Sequence, residues 1–101
     1  MEKREFTFVW EGIAIDVAYT PDYSPAFGKI YGWTLAHLSI KRQGKGQIPI
    51  SETGYKSHFT NAANIEEMGG PETYVQEWLN EEKSSEAWQS YIAKARQLTL
   101  F

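Results

Sequence analysis

His37 and His58 are the only imidazoles in a chain of 101 residues that has no cysteine. Acid–base or metal chemistry would therefore have to run through them or through carboxylates. His58 lies in the stretch Glu52-Thr53-Gly54-Tyr55-Lys56-Ser57-His58-Phe59. Extended backbone alternates its side chains between two faces. Thr53, Tyr55, Ser57 and Phe59 then share one face, and Gly54, Lys56 and His58 the other. Ser57 and His58 point apart and do not form a nucleophile–base pair unless the chain turns there. A polar pocket built from Thr53, Tyr55, Ser57 and His58 is a candidate small-ligand site. A hydrogen-bonded turn closing the sheet onto the helices uses the same residues and is the favoured reading, by roughly two to one. No carboxylate stands at ligand spacing from either histidine, so neither a metal nor a cofactor is expected. His37, on a strand, reads as a satisfied structural side chain. Glu66-Glu67 and Glu81-Glu82 are helical neighbours that do not converge on one atom, and they read as solvated faces. Gly69-Gly70-Pro71 lacks the Lys and Ser/Thr of a phosphate loop. No catalytic constellation emerges, and binding is the expected activity.

The elements that must position these residues follow from periodicity. Phe6, Phe8 and Trp10 alternate with Thr7 and Val9, and Glu11-Gly12 makes a turn. Ile13, Ile15, Val17 and Tyr19 continue the alternation, with Asp16 on the opposite face. Residues 20–29 hold Pro21, Pro25 and Gly28 and read as a loop. Its Tyr23 and Phe27 either fold over the sheet edge or form the lip of a binding surface. A third strand is expected over 30–42, apolar on both faces and hence central. The tip 41–46 carries Lys41, Arg42 and Lys45 on a glycine-rich turn, a solvated turn with at most weak phosphate contact. Residues 47–51 return as a fourth strand, made edge-like or bulged by Pro49. A short helix capped by Thr60 or Asn61 runs to Met68 and stops at Gly69-Gly70. Pro71 opens the next helix, whose inward stripe is Tyr74, Val75, Trp78 and Leu79. Ser84 or Ser85 caps the last helix, with Trp88, Tyr91, Ile92 and Ala95 inward. The expected fold is α+β: an antiparallel sheet of four to five strands followed by three C-terminal helices packed on one face. Whether those helices lie against Phe6, Phe8 and Trp10 or against the other face stays open.

Composition narrows the function classes. One core is all this length supports. Without cysteine there are no disulfides or thiolate metal sites, and with no apolar signal core or membrane span a cytoplasmic protein is expected. Up to His58 there are seven Lys/Arg against six Asp/Glu, and beyond it three against seven. That acidic second half argues against direct nucleic-acid binding over a broad face.

The last five residues, Gln97, Leu98, Thr99, Leu100 and Phe101, carry the strongest signal for a partner. At ~100° per residue Trp88, Tyr91, Ile92 and Ala95 form one helical stripe, whereas Leu100 and Phe101 would face away from it. The single domain is accordingly assigned to 1–96, and 97–101 to an extended docking peptide. That peptide resembles the motif Gln-Leu-Ser/Asp-Leu-Phe by which bacterial proteins dock on the β sliding clamp, matching at Gln97, Leu98, Leu100 and Phe101, with Thr99 in place of Ser. The resemblance implies that Gln97 bonds the groove rim, Leu98 and Leu100 lie in the groove and Phe101 fills its deep pocket. Burying three large apolar side chains gives ~1.5–3 kcal/mol each, against about 1–2 kcal/mol per residue ordered, so the isolated peptide binds weakly. The chain as a whole is similar to small proteins of bacterial plasmids and other mobile elements, on residues 49–59 followed by Gly69-Gly70-Pro71. This likeness implies no particular activity.

Overall fold

The computed structural model describes residues 3–98. Eight elements run in the order β1 (Arg4–Trp10), β2 (Ile13–Thr20), α1 (Pro25–Tyr31), β3 (Leu35–Arg42), β4 (Tyr55–Asn61), α2 (Ala62–Glu67), α3 (Pro71–Glu82) and α4 (Glu86–Leu98). The strands form one antiparallel sheet in sequence order. The architecture is the α+β arrangement expected: a four-stranded antiparallel sheet with helices following it.

Alternation decides which face is buried. Trp10 on β1, Ile15, Val17 and Tyr19 on β2, and Ala36, Leu38 and Ile40 on β3 meet Ile65, Val75, Leu79 and Trp88 of α2–α4 in one core. The helices therefore lie on the Phe6–Phe8–Trp10 face, which the sequence had left open. Trp10 and Trp88 are tilted at 52° with centroids 5.9 Å apart. The Trp10 indole N–H donates to Asn80 Oδ1 at 2.9 Å, satisfying the one polar atom that the ring buries.

Three local expectations are corrected. Residues 20–29 are not all loop: α1 starts at Pro25, with Ser24 Oγ accepting from the Phe27 N–H, and it ends at Gly32 with φ 79°. Ser-Pro at the start and Gly at the end are helix-boundary chemistry as well as loop chemistry. Ile30 and Tyr31 consequently belong to α1, and the third strand begins only at Leu35. Residues 47–51 do not pair as a strand; Ile48 and Ser51 make an isolated bridge, and Ile48 plugs the core. The fourth strand is the 55–61 segment instead.

The loop from β3 to β4 closes tightly, and two glycines make that closure feasible. Gly54 has φ +80°, and a Cβ there would stand 2.5 Å from the Gly46 carbonyl oxygen. The obstacle is backbone and cannot rotate away. Gly54→Ala should cost about 2–4 kcal/mol, combining left-handed strain with collision. Urea denaturation of the variant measures this, and an unchanged midpoint would contradict the packing described.

The helical layer obeys its sequence signals. Asn61 Oδ1 accepts from the Ala63 N–H at the start of α2, Pro71 opens α3, and Ser85 Oγ accepts from the Trp88 N–H. Helix α4 includes Leu98, so helical backbone runs past Ala95, the last inward residue of the stripe, and Gln97 and Leu98, expected to be extended, are helical instead. Thr99, Leu100 and Phe101 of the expected docking peptide lie outside the described residues. None of the helices described is long and apolar enough to cross a membrane.

Candidate functional site

Strand β4 divides the sequence-predicted ligand residues between two sides of the sheet. Tyr55, Ser57 and Phe59 project to the face away from α2–α4, and His58 projects towards the helices. Thr53 belongs to neither face. It sits in the turn before β4, where Ser51 Oγ and Thr53 Oγ1 lie 3.0 Å apart and both donate to the Tyr55 carbonyl. The four residues do not form one pocket. The turn reading accounts for Thr53, and the alternation reading for the other three.

On the open face Ser57 does find an imidazole, but it belongs to His37. Their Oγ and Nε2 are 2.7 Å apart. Register explains the pairing: Ser57 stands opposite Ser39 and Phe59 opposite His37, so Ser57 reaches His37 diagonally. Treating the two histidines separately in sequence hid this contact; pairing the two strands in register would have exposed it. Burial, with Lys3 adding to it, holds the His37 pKa below the usual imidazole range. Among the described residues no carboxylate hydrogen-bonds the ring, and both groups sit in the middle of strands whose amides serve the sheet. A serine activated for acyl transfer needs an oriented base and free oxyanion donors. The pair links β3 to β4 across the open face.

Aromatic rings surround it. Tyr23, from the segment before α1, packs edge-on to Phe59 with centroids 5.0 Å apart, and the His37 ring stands 4.5 Å from Phe59. Phe59 and Tyr55 nevertheless stay 49% and 46% exposed. Tyr23 thus folds over the sheet surface, the first of the two readings of the loop aromatics. Phe27 packs instead on Tyr31 and Trp33.

Beside this patch runs an open groove of about 410 Å³ whose lining includes Glu5, Thr7, Asp16, Ser39 and Lys41. Asp16 Oδ1 accepts from Thr7 Oγ1 at 2.6 Å and from Gln43 Nε2 at 2.9 Å. Those two bonds, with a lesser contribution from Lys41, hold its carboxyl below the ordinary carboxylate value.

The basic tip is partly committed to structure. Arg42 Nη1 donates to the Gln47 carbonyl at 3.0 Å and Nε to the Gln43 carbonyl at 3.3 Å. Lys41 and Lys45 stay exposed. No group of three or more His, Asp or Glu side chains gathers to hold a metal among the described residues.

His58 is half-buried against α3, with Nε2 3.1 Å from the Tyr74 hydroxyl and its ring 4.5 Å from that of Trp78. Burial is the main cause of its lowered pKa, followed by Lys56 and His37. On acidification the unfolded chain takes up protons near the ordinary value of 6.5 while the folded rings resist. The contribution of both histidines is therefore fully present above that value. It is lost as pH falls from there through the lowered folded values. Urea midpoints should drop over this window, and the drop should shrink in His58→Gln. A midpoint that rises on acidification would contradict the burial of both rings.

An antiparallel sheet with its helical layer on one face and an aromatic–histidine patch on the other defines an α+β domain. The chain belongs to the KlcB third-domain family, whose model matches residues 3–88. The matched span holds every strand and ends at Trp88, the residue that anchors α4. No curated protein and no solved structure matches the chain.

Proposed function

We propose that the chain is a cytoplasmic interaction domain that attaches to the β sliding clamp through Gln97, Leu98, Thr99, Leu100 and Phe101. There it accompanies replication and repair factors or competes with them for the groove. The observation that carries this reading is the agreement of four of the five positions with the clamp-docking motif. Helix α4 supports it energetically. Trp88, Tyr91 and Ile92 hold the helix on the core. An anchored helix pre-pays part of the ordering cost of a weak peptide. The family is plasmid-associated, in keeping with the likeness to mobile-element proteins. Co-elution of the intact chain with purified clamp, set against a chain ending at Arg96, tests the proposal. Binding by the intact chain only is expected; equal binding, or none by either, refutes it.

A second reading has its own observation. The half-exposed Tyr55 and Phe59 beside Tyr23 and the His37–Ser57 pair support a ligand-binding or host-defence-countering module that uses the 52–59 stretch. Partners recovered from bacterial lysate unchanged after removal of the last five residues, and lost in Phe59→Ala, would favour it over the clamp.

A further inference from the structure

On the helix side of β4, separate from both surfaces above, lies a cleft of about 330 Å³ lined by His58, Met68, Tyr74, Trp78 and Glu81. Tyr74 and Trp78 stand one turn apart on α3, and their rings meet at 72° with centroids 6.3 Å apart. Two nearly perpendicular π systems form a corner. The His58 ring adds a third wall, tilted 54° to Trp78 at 4.5 Å, and the contact between its Nε2 and the Tyr74 hydroxyl fixes both rings. Met68, 41% exposed, contributes a polarizable thioether to the same lining. Glu81, three residues beyond Trp78, supplies the one carboxylate of the cleft, and it makes no ion pair among the described residues.

We infer that this cleft binds an alkylated organic cation, a quaternary ammonium headgroup held against Trp78, Tyr74 and His58 and neutralised by Glu81. The negative faces of aromatic rings attract a cation. A methylated ammonium sheds its water more readily than a bare one and offers methyl surface to the rings and to Met68. Because its protonated form is disfavoured by burial, His58 is neutral near pH 7 and does not repel the guest. A merely greasy cleft would accept an uncharged guest of the same shape equally well, and that difference is measurable.

The test titrates the full chain with choline and, separately, with dimethylbutanol, its uncharged carbon isostere, following the Trp78 indole and Met68 methyl resonances. Choline is expected to bind about tenfold or more tightly than the isostere. Glu81→Gln, a change at an exposed position, should weaken choline about three- to tenfold while leaving the isostere unchanged. Trp78→Leu should abolish choline binding; should that variant fold poorly, Glu81→Gln carries the test alone. A trimethyl-lysine peptide that binds more tightly than choline points to a modified protein as the source. Equal affinity points to a free small molecule, and either result upholds the site. Equal binding of choline and its isostere, or no movement of the two resonances at millimolar choline, overturns the inference. None of these outcomes bears on the clamp reading, which uses other residues.

Discussion

Replacing Leu100 and Phe101 together by alanine is expected to lower the affinity of the intact protein for the β clamp by roughly two orders of magnitude or more. Each side chain contributes ~1.5–3 kcal/mol when buried, and ~1.4 kcal/mol is a factor of ten. The unfolding midpoint should not move, because the inward stripe of α4 is complete by Ala95. Isothermal titration of clamp with both proteins measures the first quantity, and urea denaturation the second. Affinity unchanged by the double substitution would contradict the docking reading.

Trp88→Ala should produce the largest loss of stability, about 3–5 kcal/mol. Its ring is 5% exposed and lies between Trp10 and Tyr91, with centroids 5.9 and 5.2 Å away. Truncation opens a cavity at the junction of α4 with β1, where Trp10 also holds Asn80 of α3. Domains of this size have a net stability of about 5–15 kcal/mol, so the variant should be partly unfolded at physiological temperature. Clamp binding should weaken with it, since the helix that preorganises the peptide comes loose. A loss below about 1 kcal/mol would mean that α4 is held elsewhere. The two substitutions would separate attachment from folding: the first should weaken binding at constant stability, and the second should weaken both.

Most of the buried half of the molecule was legible because its signals are local. Strict alternation from Phe6 to Tyr19 specifies the hairpin, and the 3.6-residue spacing of Tyr74, Val75, Trp78 and Leu79 specifies α3. Pro71 and Asn61 mark helix starts by chemistry that needs no tertiary context. Residues 20–34 were harder, since Ser24-Pro25 and Gly32 punctuate loops and helices alike, and a seven-residue helix leaves little periodicity to detect. Residues 47–51 alternate like a strand, yet Ile48 is buried by the core and its backbone finds only one bridge partner. The candidate sites depend on register and layer, which neighbours in sequence do not encode. Ser57 and His58 were correctly separated by alternation. The partner that Ser57 does meet, His37, lies twenty residues away on another strand. The cleft around His58 likewise needed Met68, Tyr74, Trp78 and Glu81 brought to β4 by the fold of α2 and α3.

Attachment through the last five residues is tested most directly by following the resonances of isotopically labelled protein during titration with unlabelled clamp. The predicted result is broadening or shifts concentrated at residues 97–101 and the end of α4, with Tyr55, Ser57 and Phe59 on the open sheet face unmoved. Perturbation of the open face with the last five residues silent, or no perturbation anywhere at saturating clamp, would contradict it.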